Sequence, residues 1–133
     1  MGAEIKIYNP DGMAKPLGKY CHVARATGET VYIAGQVGVN PDGELAGGFD
    51  AQLKQTYRNL ETAVKSAGGD MSSIVRFTTY LVSREDIANF VRVREEIYPE
   101  IYPDGVYPTN TLLIIDALVN DEILVEIEAV AHV

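Results

Sequence analysis

The chain has 133 residues, nearly half of them hydrophobic, and a formal net charge of −8. This length fits one domain, residues 1–133, with one apolar core, and no apolar run approaches the roughly 18 residues that a membrane span needs. The negative charge argues against nucleic-acid binding, which requires a basic face, and a single cysteine excludes an intramolecular disulfide.

The beginning of the chain also predicts where the protein works. The first residues lack the charged-then-apolar pattern of a secretory signal peptide. The lone Cys21 is consistent with a reducing compartment. We therefore expect a soluble cytoplasmic protein that binds no membrane.

The N-terminal part of the chain predicts three short strands separated by turns. They cover residues 4–8, 20–26 and 30–37. A tight turn at Gly28 indicates that the second and third strands pair as a hairpin. Gly35 inside the third strand indicates either a bulge or the close approach of a ligand or a neighbouring subunit to the backbone.

Two amphipathic helices follow, with a strand between them. Apolar residues recur every three or four positions over residues 49–67, which predicts a helix ending at Gly68. A strand is expected over residues 74–82, and the order strand, helix, strand predicts a right-handed crossover between parallel strands. Ser83 and Asp86 have the spacing of a capping box and indicate the start of the second helix.

One cation interrupts the apolar stripe of the second helix. Arg94 lies seven residues after Ile87, so it falls on the same helix face. A guanidinium there is costly to desolvate unless it is paired. Arg94 can extend past the core or pair with a carboxylate such as Glu126, or it can anchor a ligand carboxylate from a pocket wall. An exposed arginine without a role is the remaining alternative.

Two further strands are expected near the end of the chain, over residues 107–115 and 124–130. A turn at Asn120 separates them, and we expect them to pair. The whole fold is then α+β, a mixed sheet of about six strands with two helices packed on one face. Residues 112–115 are apolar on both strand faces although the helices can cover only one, so the other face predicts a homo-oligomer.

The final strand carries carboxylates among its apolar residues. Glu126 and Glu128 share one strand face about 7 Å apart, so they repel unless a cation or water separates them. Asn110 opens the preceding strand, where a side chain can stand at a sheet edge. We interpret Asn110 and Glu126 as two walls of a candidate pocket.

Metal and cofactor chemistry has no support in the sequence. It contains no CxxC, HExxH or phosphate-loop glycine pattern. Cys21 and His22 are strand neighbours that point to opposite faces, and His132 has no companion at ligand spacing. We expect no metal and no cofactor, so any chemistry must come from carboxylate, tyrosine, arginine, backbone donors and water.

Several segments together resemble the RidA/YjgF family. They are residues 18–20 (Gly-Lys-Tyr), 32–41 (Tyr-Ile-Ala-Gly-Gln-Val-Gly-Val-Asn-Pro), 74–82, 108–111 (Pro-Thr-Asn-Thr) and 125–131. The resemblance runs from about Pro16 to the C-terminus in one order. It implies a chorismate-mutase-like fold that assembles as a homotrimer, with three clefts between subunits.

The resemblance also implies an activity. Active members hydrolyse reactive enamines and imines such as 2-aminoacrylate to 2-keto acids and ammonia, so the implied partner is a small carboxylated metabolite. An arginine holds the substrate carboxylate, and a glutamate positions the attacking water. Carried over to this chain, the resemblance makes Tyr20 a wall of the cleft, Gly35 a backbone donor and Glu126 the catalytic carboxylate. Ala34 stands where the family frequently has a serine.

Two further positions depart from the family pattern. The motif arginine aligns with Asn110, whose neutral amide gives up roughly 1.5–3 kcal/mol of charge-assisted hydrogen bonding. Arg94 falls where active members often have an asparagine, so the two residue types are exchanged. Our hypothesis is that Arg94 takes over anion binding. The alternatives are a non-catalytic trimer that senses a ligand or binds a partner protein, and a structural or chaperone-like role.

Overall fold

The computed structural model describes residues 2–133 as six strands and two helices. In chain order the elements are β1 (Ile5–Tyr8), β2 (Val23–Ala26), β3 (Thr30–Gln36), α1 (Phe49–Ser66), β4 (Ile74–Leu81), α2 (Asp86–Ile101), β5 (Thr109–Ile114) and β6 (Val125–His132). A single 3-10 turn, Met71–Ser73, precedes β4. The predicted α+β class, with six strands and two helices, is confirmed.

Hydrogen bonding divides the six strands into a four-stranded sheet and a two-stranded sheet. The larger sheet has the order β3-β6-β4-β5, and β1 pairs with β2 in the smaller one. β6 is antiparallel to both of its neighbours, whereas β5 is parallel to β4 because α2 returns the chain to the same end of the sheet. The larger sheet is therefore mixed. β3 and β4 are parallel, as expected, but β6 lies between them.

Both hairpins expected from the sequence are wrong. β2 pairs with β1 instead of β3, and β6 pairs with β3 and β4 instead of β5. After the turn at Gly28, the Glu29 amide donates to the Val133 carbonyl at 2.8 Å, so β3 starts beside the end of β6. Turn residues determine where a chain reverses, but the burial of its side chains decides whether a strand lies inside a sheet or at its edge. β6 lies in an inner position of the larger sheet, and alternate residues along it are buried.

The core lies between the four-stranded sheet and the two helices. α1 contributes Leu53, Leu60 and Val64, all with 0% exposure, and α2 contributes Phe90 and Val93. The sheet contributes alternate residues of β6, namely Val125, Ile127, Ala129 and Ala131. Each large apolar side chain buried in this way stabilises the fold by roughly 1.5–3 kcal/mol. Within residues 2–133, no helix combines the length and the apolar character that crossing a bilayer requires.

The start of α2 differs from the predicted capping box. Its N-cap residue is Glu85, and no side chain caps the first turn. The Ser83 hydroxyl instead accepts a hydrogen bond from the Glu85 amide at 3.3 Å. Ser83 therefore bonds within the turn that precedes the helix and does not cap the helix itself, so the capping-box prediction is wrong.

The face of the larger sheet opposite the helices, which we call the open face, is partly apolar and exposed. Tyr32 of β3 is 80% exposed and Leu113 of β5 is 39% exposed. Glu126 and Glu128 of β6 also lie on the open face, because the residues that alternate with them are buried under the helices. The open face therefore combines apolar surface with two carboxylates.

Candidate functional site

Glu126 lies on the open face, against a glycine of the neighbouring strand. A Cβ atom added to Gly35 would stand 2.1 Å from Oε2 of Glu126 and 2.8 Å from its Cδ, so the carboxylate occupies the space that a side chain would need. The pairing of β3 with β6 shifts register between Ile33 and Gln36, which is the bulge that Gly35 predicted. The bulge and the missing side chain together make room for the Glu126 carboxylate.

The surroundings of Glu126 raise its proton affinity. Burial raises the pKa of the Glu126 carboxyl, and the charge of Glu128 raises that pKa further. Of the cation or water that could separate the two carboxylates, no cationic side chain does so within residues 2–133, where neither glutamate takes part in an ion pair. A carboxylate whose pKa is raised towards neutrality is suited to accept a proton from water.

Glu128 is turned towards the other neighbouring strand. The Tyr80 hydroxyl of β4 donates to Oε1 of Glu128 at 2.5 Å, and this bond raises the pKa of the Tyr80 hydroxyl. In the β4–β6 register Tyr80 lies directly opposite Glu126, so its hydrogen bond to Glu128 runs diagonally between the strands. The two carboxylates of β6 are thus directed to opposite sides of their strand.

Arg94 is buried inside the protein, with 5% of its surface exposed. Its Nη1 donates to the Lys19 carbonyl at 3.0 Å, and its guanidinium lies 4.2 Å from the ring centre of Phe90 and 5.5 Å from that of Tyr98. The Nε atom is buried without a hydrogen-bond partner in the described part of the chain. Arg94 therefore neither extends into solvent nor pairs with Glu126, and its positive charge lacks a carboxylate partner within residues 2–133.

Asn110 lies on the helix-covered side of the sheet. It is opposite Phe77 in the parallel pairing of β4 with β5, and its Oδ1 accepts a hydrogen bond from the Thr79 hydroxyl at 2.9 Å. Phe77 and Thr79 are both buried under the helices. Within one copy of the chain, Asn110 and Glu126 consequently lie on opposite faces of the sheet and do not form two walls of one pocket.

Tyr20 and Ala34 each lie beside one of the residues described above. The half-buried Tyr20 directly follows Lys19, the residue whose carbonyl binds Arg94, and its hydroxyl accepts a hydrogen bond from the Leu17 amide at 3.2 Å. Ala34 is exposed and precedes Gly35. Within one copy of the chain, Tyr20, Arg94 and Asn110 therefore lie on the helix side of the sheet or beside it, whereas Gly35, its neighbour Ala34 and Glu126 lie together at the β3–β6 pairing.

The sequence and the fold of this chain are similar to those of known proteins. A family model described as Endoribonuclease L-PSP matches residues 12–133. The crystal structure of the Rid-family protein YyfB from Yersinia pestis is similar to this chain with a TM-score of 0.86 and 32% identity, over 97% of this chain and 98% of that one. The chain belongs to the RidA/YjgF family.

Named relatives of this RidA-family chain include enzymes. A RutC family protein of Aquifex aeolicus is 33% identical over 118 residues, which are 86% of this chain and 90% of that protein. The 2-iminobutanoate/2-iminopropanoate deaminase of Mus musculus is 36% identical over 104 residues, which are 77% of this chain and 73% of that enzyme. The resemblance drawn from the sequence is confirmed at the level of the family.

Sequence reasoning missed two contacts of this RidA-family protein. They are the diagonal bond from Tyr80 to Glu128 and the buried contact between the hydroxyls of Tyr57 and Tyr98, at 3.0 Å. Alternation along β4 puts Tyr80 on the face opposite its buried neighbours Thr79 and Leu81. The partner of Tyr80 depends on the β4–β6 register, which one sequence does not contain.

Replacing Gly35 tests the close packing of Glu126. In Gly35→Ala the new methyl group and the carboxylate cannot both keep their places, so the carboxylate should move and its ¹³C chemical shift should change. The free energy of unfolding should fall by roughly 1 kcal/mol, the low end for overpacking, because the end of a glutamate side chain is flexible. Chemical denaturation and carboxyl NMR measure the two effects.

Gly47→Ala is the matched control for this substitution. A Cβ atom at Gly47 meets nothing within 4 Å, so the same chemical change should leave both measurements unaltered. A Gly35→Ala protein with an unchanged Glu126 signal would contradict the packing described above.

Proposed function

We propose that this RidA-family protein binds a small carboxylated metabolite in a cleft between subunits and hydrolyses enamine or imine intermediates, such as 2-aminoacrylate, to 2-keto acids. The observation that carries this proposal is the Glu126 carboxylate, which is half-buried, has a raised pKa and forms no ion pair within residues 2–133. The deaminase activity named for the mouse relative supports it.

The proposed reaction needs a proton acceptor at Glu126. An enamine first tautomerises to the imine, and water then adds across the C=N bond. The water oxygen bonds to carbon while Glu126 accepts one water proton and returns it to nitrogen, which gives a carbinolamine. The remaining hydroxyl proton then moves to nitrogen as the C–N bond breaks, so that ammonia leaves and the C=O group of the keto acid forms. Glu126 is the catalytic residue, while Tyr20 and the Gly35 amide orient the substrate and Ala34 lines the site.

Arg94 is the proposed anchor for the substrate carboxylate. A guanidinium has five N–H donors, and one nitrogen of Arg94 binds the Lys19 carbonyl. A buried positive charge without a carboxylate partner is costly, so an incoming carboxylate would relieve that cost. In this proposal Asn110 supplies a neutral hydrogen-bonding contact in place of the family arginine.

The proposed assembly is a homotrimer in the cytoplasm. Arg94 and Asn110 lie on the helix side of the sheet and Glu126 on the open face, so a ligand that touches both sides needs a second copy of the chain. Exposed apolar residues on the open face, Tyr32 and Leu113, favour its coverage by another copy. Analytical ultracentrifugation measures the assembly directly.

A second candidate function is a non-catalytic ligand sensor. The observation that favours it is Asn110, whose neutral amide replaces the motif arginine. Cleavage of RNA, the activity for which the matching family model is named, is opposed by the net charge of −8 and by two carboxylates on the open face. We therefore propose no nucleic-acid partner.

Ammonia release tests the enzymatic proposal. A serine or threonine dehydratase generates 2-aminoacrylate or its homologue in situ, and ammonia and keto acid are followed with and without this protein. We expect acceleration above the rate obtained with an equal mass of an unrelated protein. Saturable binding of pyruvate or 2-oxobutanoate without acceleration would favour the sensor, and neither acceleration nor binding would contradict both functions.

A further inference from the structure

The two carboxylates of β6 are held apart by their neighbouring strands. Glu126 is directed towards β3, where it fills the space left by Gly35. Glu128 is directed towards β4, where it accepts the hydrogen bond of Tyr80. Same-face residues on a strand are about 7 Å apart, a distance at which two unscreened carboxylates repel measurably. The glycine and the phenol together fix the direction of each carboxylate.

The two glutamates consequently differ in their hydrogen-bonding environment. The Tyr80 hydroxyl donates a hydrogen bond to Oε1 of Glu128. Glu126 accepts no side-chain hydrogen bond within residues 2–133, although the same phenol is directly opposite it in register. The phenol therefore distinguishes the two carboxylates, since it engages an oxygen of Glu128 and none of Glu126.

We propose that Tyr80 and Glu128 act as a positioning pair for Glu126: the Tyr80 hydroxyl holds the Glu128 carboxylate on the β4 side, so that Glu128 acts on Glu126 from a fixed place. The inference rests on the proposed role of Glu126 as proton acceptor and assigns two further residues to that site. Glu128 and Tyr80 need not touch the substrate, since both act through the electrostatic field at Glu126.

Other ionisable groups on the open face are few. Glu128 and His132 are on the same strand as Glu126, Tyr80 and Arg76 are on β4, and Tyr32 is on β3. Arg76 is exposed and opposes the rise in the pKa of Tyr80, but the rise in the pKa of Glu126 is caused by burial and Glu128. Among these groups, Glu128 is accordingly the one whose removal should change the titration of Glu126.

A carboxyl NMR titration without substrate tests the pair. The protein is labelled with ¹³C at glutamate carboxyls, and the Glu126 signal is assigned from its loss in Glu126→Gln. In Glu128→Gln the pKa of Glu126 should fall by roughly half a unit to one unit, because the like charge on the same strand face is removed. In Tyr80→Phe the freed Glu128 can approach Glu126, so the pKa of Glu126 should rise instead.

The control is Glu95→Gln, which removes the same charge from an exposed position on α2. It should leave the titration of Glu126 unchanged. The proposal is overturned if Glu128→Gln leaves the Glu126 curve in place, if Glu95→Gln shifts it equally, or if Tyr80→Phe superimposes on the wild type. Because this titration needs no turnover, its failure is distinguishable from a failure of the proposed hydrolysis, which the ammonia assay measures.

Discussion

Glu126→Gln is expected to lower the rate of imine hydrolysis by roughly 10²- to 10⁴-fold, the contribution typical of a general base. The amide has the size of the carboxylate but cannot accept the water proton. Because Glu126 is on the open face and makes no ion pair within residues 2–133, the substitution should hardly change the thermal midpoint of unfolding. The measurement is kcat/KM for keto-acid formation, beside a thermal melt.

The pH dependence gives this prediction a second readout. Burial and Glu128 raise the pKa of Glu126, so its base form is lost at a higher pH than that of an ordinary carboxylate. The wild-type rate should therefore fall about tenfold per pH unit below that pKa and level off above it. Glu126→Gln should abolish this acid limb. Glu95→Gln should retain both rate and limb, and a Glu126→Gln protein with the wild-type rate would remove Glu126 from the mechanism.

The elements of the fold could be predicted because each has a local cause. Apolar spacing marks α1 and α2, and β-branched runs bounded by turn residues mark the strands. The pairing of strands could not be predicted in the same way, since it depends on distant residues. Gly28 indicated a reversal, but the amide of Glu29 then pairs with Val133, more than a hundred positions away.

The candidate site is likewise predictable only where its residues break a local pattern. Gly35 and Glu126 stand out in the sequence because one is a glycine within a strand and the other is a carboxylate among apolar residues. Arg94 stands out because it interrupts the apolar stripe of a helix, and its side chain is buried in the structure. Its contact with the Lys19 carbonyl spans 75 positions and follows from how α2 packs against a loop. The spacing of apolar residues in α2 and in the loop does not reveal that the two segments pack together.

Arg94→Ala is expected to weaken binding of pyruvate or 2-oxobutanoate by about 10- to 100-fold, the equivalent of losing a charge-assisted hydrogen bond of about 1.5–3 kcal/mol. Asn110→Ala should weaken it by only about two- to tenfold, because a neutral amide contributes one ordinary hydrogen bond of about 0.5–1.5 kcal/mol. Isothermal titration calorimetry measures both dissociation constants. The contrast between the two variants carries the test, since in the family pattern the position of Asn110 holds the anchor.

The Arg94 side chain also fills space inside the protein, so the loss of ligand affinity in Arg94→Ala must be separated from a loss of folded protein. Arg94 contacts Phe90, Tyr98 and the Lys19 carbonyl, and Arg94→Met retains most of that volume without the charge. If the charge binds the ligand, Arg94→Met should lose affinity as Arg94→Ala does while its melting temperature stays nearer to that of the wild type. Equal and small losses in the Arg94 and Asn110 variants would instead mean that the guanidinium serves the loop at Lys19 and that the ligand carboxylate binds elsewhere.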